Sequence, residues 1–141
     1  MAVNFYFSEV HKFPFKINLH KSWVREVILS YGYTVGDLSF VFCSDDYLLK
    51  MNIEFLNHDY YTDVITFDYC EDKRVSGDIF ISIDRVADNA NQNHVAYMVE
   101  LQRVIIHGTL HLLGFDDVSD ILKENMTRAE NSALELFYTV K

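Results

Sequence analysis

The sequence predicts an α+β fold, a mixed four-stranded sheet packed with about five helices, and three observations carry that prediction. Short apolar runs rich in β-branched and aromatic residues alternate with longer runs at helical spacing. Half of the 141 residues are hydrophobic and 15% are aromatic, enough for one core and unlike a disordered chain. Pro14 is the only proline and glycines number five, so no Pro/Gly-rich linker divides the chain and 1–141 is expected to be a single domain.

The elements follow in order. Residues 3–7 read as a first strand, and residues 21–31 as a helix through Trp23, Val24, Val27, Ile28 and Tyr31 that stops at Gly32. Residues 37–43 read as a strand. Ser44 followed by Asp45 and Asp46 predicts a helix start, with a hydroxyl to cap free N–H groups and negative charge at the positive end of the dipole, and that helix runs to Phe55. The polar turn Asn57-His58-Asp59 leads into a β-branched strand from Thr62 to Phe67. A charged connection, 71–76, precedes a strand from Gly77 to Ser82. Helices are expected over 84–93, over 96–113 with Gly114 as the stop, and over 119–138 through Ile121, Leu122, Met126, Ala129, Ala133 and Leu136.

Several function classes recede on composition. The first ten residues have neither a basic segment nor an apolar stretch of the secretory kind. No apolar run approaches the ~20 residues of a membrane span. Cys43 and Cys70 sit in strand-like surroundings and read as buried free thiols of a reducing, cytoplasmic compartment, although the sequence alone leaves a disulfide between them open. A net charge of −9 argues against a protein that coats nucleic acid by neutralising phosphates, and is compatible with one that meets RNA at a single site.

The chemistry-bearing segment is His107-Gly108-Thr109-Leu110-His111-Leu112-Leu113-Gly114-Phe115-Asp116-Asp117. Histidines four apart share one helix face, so both imidazoles can meet one ion. Gly114 lets the chain reverse, and Asp116 or Asp117 can return as a third ligand, leaving a catalytic metal its open position. The spacing matches the zinc-peptidase pattern H-E-x-x-H-x-x-G-x-x-H, with Asp117 in the last place. Gly108 stands where the peptidase glutamate would be, and glycine cannot take a proton from water.

Residues 107–116 resemble the hallmark H-G-x-L-H-L-x-G-Y-D-H of the YbeY family of rRNA maturation endoribonucleases, with Phe115 for the tyrosine. Residues 59–67 resemble the family's D-x-x-T-D-V-L-S-F block and residues 77–82 its G-D-I-x-I-S block, in the same order, so the likeness spans roughly 35–130. The resemblance implies endonucleolytic cleavage in 16S rRNA maturation and ribosome quality control, with one divalent ion, expected to be zinc, in a cleft. It implies rRNA or a ribosomal subunit as partner, with ribosomal proteins or a GTPase as protein candidates, and no membrane. On it, His107, His111 and Asp117 are the expected metal ligands and His107, His111 and Asp116 the expected catalytic residues.

Two departures matter. Asp117 replaces the third hallmark histidine; its charge makes a bound water less acidic and opens the site to harder ions such as Mn²⁺. Leu56 aligns with an arginine common in the family, so phosphate neutralisation falls to Arg103, Arg74 or Arg85. Asp63 and Asp78 are further candidates for proton transfer, although each reads more readily as a carboxylate bonding local backbone. His11, His20, His58 and His94 read as surface residues, and the Phe and Tyr residues of 37–43 and 63–69 as core. The rival functions are a non-catalytic ribosome-assembly factor with a structural metal, and a metzincin-like peptidase.

Overall fold

The computed structural model describes residues 2–139, so Met1, Val140 and Lys141 of the 1–141 reading lie outside the described residues. The order is β1 (Ala2–Phe7), α1 (Ile17–Ser30), β2 (Thr34–Cys43), α2 (Asp45–Leu56), β3 (Val64–Asp68), β4 (Arg74–Ser82), α3 (Ile83–Asn93), α4 (Tyr97–Leu112) and α5 (Asp120–Thr139). The expected α+β architecture is present, with four strands and five helices among the described residues. The strands line up as β1-β2-β4-β3. β1 with β2 and β2 with β4 are parallel, and β3 with β4 is antiparallel. Only the antiparallel pair can be joined by a tight connection, here closed by reciprocal Glu71 and Arg74 backbone bonds.

Alternation along β4 assigns the two faces of the sheet. Val75, Gly77, Ile79 and Ile81 are buried, and Gly77 and Ile79 lie against α4. Ser76, Asp78 and Phe80 point the other way, where Phe80 joins the small cluster of Cys43, Leu48 and Ile65 under α2. Asp78 is therefore on the face opposite α4, which removes it from the histidine site that it was a candidate to join. The large core lies on the α4 face. Leu101, Ile105, Ile106 and Leu110 of α4 are fully buried, as befits a helix apolar on most sides. Trp23 of α1 donates its indole N–H to the Ala133 carbonyl of α5 at 2.7 Å, tying the outer helices together.

Serine hydroxyls cap three helices. Ser44 accepts from Tyr47 N–H, Ser82 from Arg85 N–H and Ser119 from Leu122 N–H; a cap of this kind contributes about 1 kcal/mol. Several boundaries differ from the sequence reading for identifiable reasons. α1 begins a turn earlier, at Ile17, which puts His20 on the inward stripe with Trp23, Val24 and Val27. His20 is thus buried, not a surface residue, and bonds the Lys16 carbonyl and Gln102. β2 begins at Thr34, and an irregularity in its pairing between Val35 and Leu38 breaks the alternation that would have revealed it. β4 begins at Arg74, inside the expected loop, because Arg74 and Val75 pair with Thr34 and Val35. Phe40 and Phe42 are core as expected, whereas Tyr69 is 59% exposed. His11, His58 and His94 are exposed.

Cys43 and Cys70 are free thiols, Cys43 buried and Cys70 partly so. Burial pushes Cys43 up to about 12 and Cys70 up to about 11, so neither is a reactive thiolate near neutrality. No helix is long and apolar enough to cross a membrane among the described residues.

Candidate metal centre

One face of α4 carries Glu100, Arg103, His107 and His111, spaced three, four and four apart. The helix ends in a Schellman closure. Phe115 N–H bonds the Leu110 carbonyl and Gly114 N–H the His111 carbonyl, each at 3.0 Å, with Gly114 at φ +100°. A residue with a Cβ is strained at that angle. This closure turns the chain back so that Asp117 faces the histidines. His107 Nε2 and His111 Nε2 are 3.0 Å apart, and Asp117 Oδ2 lies 3.5 Å from the first and 3.8 Å from the second. Asp117 is placed there only because the helix stops where it does.

The hydrogen bonds on the outer nitrogens decide what the inner ones offer. His107 Nδ1–H donates to Glu130 Oε2 at 2.6 Å, and His111 Nδ1–H donates to the Phe115 carbonyl at 3.1 Å. A carboxylate and a carbonyl only accept, so each imidazole in its neutral form carries its proton on Nδ1 and presents an Nε2 lone pair. In that form two lone pairs and a carboxylate oxygen converge. Such a set is stable around a cation. The edge of a tetrahedron with zinc-like bonds of ~2.05 Å is ~3.3 Å, inside the range of the three observed separations. The residues therefore fit a divalent ion, and His107, His111 and Asp117 together can hold one.

The surroundings are acidic and partly dry. Glu130 of α5 has its side chain 8% exposed and also takes Arg103 Nη1 at 2.9 Å. For His107, burial works against the charged form, but the hydrogen bond and charge of Glu130, with Asp117 and Asp63, outweigh it and hold the imidazole above its ordinary value. Asp63, just before β3, is pushed above the usual carboxylate range by burial, with the His107 charge pulling the other way. Its Oδ2 accepts from Asn89 of α3 at 3.3 Å. Glu100 is raised by burial as well.

The other candidates fall in different places. Asp116 is exposed, and its carboxylate accepts the Asp117 N–H at 2.7 Å instead of facing the histidines. Arg103 is beside the site but engaged with Glu130 and Asn131, so its ion pair is across to α5 and not along the helix to Glu100. Arg85 is held by Asp45 at 2.7 Å and lies over the Tyr61 ring. Arg74 lies at the start of β4, beside Gly36 and Asp37. Leu56 ends α2 and is 40% exposed.

Comparison with known proteins places this cluster in a family. The family model described as Endoribonuclease YbeY matches residues 8–138. The chain belongs to the YbeY family. A protein of Phocaeicola vulgatus described as Endoribonuclease YbeY is 54% identical over 114 residues, covering 81% of this chain and 83% of the relative. One from Bacteroides thetaiotaomicron with the same description is 46% identical over 136 residues, covering 96% and 99%. The solution structure of a Thermotoga maritima protein superposes with a TM-score of 0.67 at 25% identity, over 96% of this chain and 89% of that one.

Within this YbeY-family fold, Gly108 has a packing role. A Cβ built there meets Ile79 Cγ2 at 2.9 Å and Thr66 Cγ2 at 3.4 Å, so glycine lets α4 lie directly on β3 and β4. Glu130 was not singled out by the sequence reading. Its signal is a charged residue four after Met126 and three before Ala133, on the inward stripe of α5. A carboxylate on a core-facing stripe requires a partner.

Proposed function

We propose that this YbeY-family chain is a metal-dependent endoribonuclease of rRNA maturation, acting as one domain across 1–141 in the cytoplasm on rRNA or a ribosomal subunit. The observation that carries the reading is the convergence of His107 Nε2, His111 Nε2 and Asp117 Oδ2, each within 3.8 Å of the others. Zinc is the ion favoured by two imidazoles and a carboxylate, with Mn²⁺ admitted by the carboxylate. The relatives' printed description, Endoribonuclease YbeY, supports RNA as the substrate.

Three side chains supply the ligands, from the last turns of α4 and the loop that follows. A divalent ion held by these residues would supply Lewis acidity toward a water and the phosphate. Asp63, whose carboxyl burial holds above the usual carboxylate range and which lies close enough to feel the His107 charge, is the favoured group for holding or passing a proton. Asp116 is a weaker candidate because its carboxylate is turned to its own backbone. Gly108 leaves the peptidase base absent.

The test is cleavage of a structured rRNA fragment beside a peptide substrate, with protein stripped by chelator and then reloaded with zinc or manganese. RNA cut only by reloaded protein, with the peptide intact, is expected. Cleavage that survives chelation would contradict the metal role. Stoichiometric metal without RNA cleavage under either ion would favour the non-catalytic assembly factor, a reading supported by Leu56 and by the engagement of Arg85 and Arg103 with Asp45 and Glu130.

A further inference from the structure

We infer that Glu130 and Arg103 form a positioning pair that sets the orientation of His107 toward the cation, and that Arg103 serves this role and not phosphate binding. The inference rests on the metal reading above and assigns function to two residues on different helices. The geometry is a continuous chain. Arg103 Nη1 donates to Glu130 Oε1 at 2.9 Å, and Glu130 Oε2 accepts from His107 Nδ1 at 2.6 Å. Each carboxylate oxygen thus has its own partner. Arg103 Nη2 also donates to Asn131 Oδ1 at 2.8 Å, so the guanidinium is held at two points. Glu130 is 8% exposed at its side chain, too dry to be an incidental surface acid.

The consequence for the ligand set follows from valence. Glu130 accepts only, so His107 carries its proton on Nδ1 and turns Nε2 toward His111 and Asp117. Without that acceptor, the imidazole could rotate or place its proton on Nε2, and either change removes a ligand. Arg103 fixes Glu130 in place through its 2.9 Å hydrogen bond, and one helical turn of α4 separates Arg103 from His107. Partners behind a ligating histidine commonly change metal affinity 10–100-fold. The link also couples two elements: α5 positions a ligand that belongs to α4. His111 is oriented differently, by the Phe115 carbonyl of its own helix end.

The test uses full-length protein without RNA, with zinc affinity measured by chelator competition and the Co²⁺ visible spectrum recorded for wild type, His107→Ala, Glu130→Gln and Arg103→Gln. Glu130→Gln is expected to weaken zinc binding 10–100-fold and to alter the Co²⁺ spectrum. Arg103→Gln is expected to weaken zinc binding in the same direction even with no phosphate present. Circular dichroism confirms that each variant is folded, and if Glu130→Gln is not, Arg103→Gln alone carries the test. Wild-type affinity and spectrum in a folded Glu130→Gln, with His107→Ala deficient, would overturn the positioning role while leaving the metal site intact. Unchanged zinc affinity in Arg103→Gln would overturn the role given to Arg103. No stoichiometric metal in the wild type would overturn the metal reading and this inference with it.

Discussion

His111→Ala is expected to reduce bound divalent ion from about one per chain to a trace, and RNA cleavage to background, with the fold retained. The side chain is 28% exposed and is not among the buried core residues, so the loss is expected to be specific to the site. Apparent energies of structural zinc sites run ~10–16 kcal/mol over four ligands, so one ligand is worth roughly 3 kcal/mol, or at least about a hundredfold in affinity. Elemental analysis after desalting checks it, with circular dichroism as the control for folding. The same measurement has a predicted pH dependence. His107 in the metal-free chain holds a proton more tightly than an ordinary histidine, whose value is 6.5. The proton competes for the site, so affinity falls as pH drops through that region, in wild type more than the ligand chemistry alone requires. The linkage runs the other way for the metal-free fold. Its stabilisation by protonated His107 is complete below the ordinary histidine value and is lost as pH rises through the raised one.

Gly108→Glu, the change that would restore the peptidase base, is expected to unfold the protein or nearly so. The first added carbon already meets Ile79 Cγ2 at 2.9 Å, and Ile79 is a fully buried, β-branched strand residue with nowhere to move. Overpacking of this kind costs about 1–3 kcal/mol, and a carboxylate left between α4 and the sheet without a partner adds several more. Together, a loss above about 4 kcal/mol is a large part of a stability of roughly 5–15 kcal/mol, corresponding to a fall in Tm of more than about 12 °C. Gly108→Ala is the informative intermediate. It gains about 1 kcal/mol of helix propensity, which offsets much of the contact with Ile79, so its Tm should lie near that of wild type. A folded, active Gly108→Glu would show that α4 is not held against β3 and β4 as described. The position that would carry a peptidase base is the one where α4 touches the sheet.

The features readable from the sequence were those encoded locally. His107, His111, Gly114 and Asp117 lie within eleven residues, so helix geometry and one reversal suffice to bring them together. The Ser44 cap and the β-branched strand before Phe67 are likewise local signals. Features set by distant pairing were not readable. The early start of β4 depends on Thr34 and Val35 across the sheet. The choice between Asp63 and Asp78 depends on which face each strand turns to α4. His20 is buried because α1 starts at Ile17, a turn before the apolar spacing from residue 21 predicts, and a helix extended by one turn changes which residues face inward. Arg103 shares the histidine face of α4, but its partner is 27 positions away on α5. Glu130 is the clearest case, a residue whose meaning exists only once α5 lies across α4.

The most direct test of the shared-cation geometry is a crystal structure of zinc-loaded protein with anomalous data at the zinc edge. One strong peak is expected within ~2.0–2.2 Å of His107 Nε2, His111 Nε2 and an Asp117 carboxylate oxygen, with both Nδ1 atoms still bonded to Glu130 and the Phe115 carbonyl. A peak bound through an Nδ1 atom, or at Cys70 or the surface carboxylates with the two histidines left bare, would contradict it.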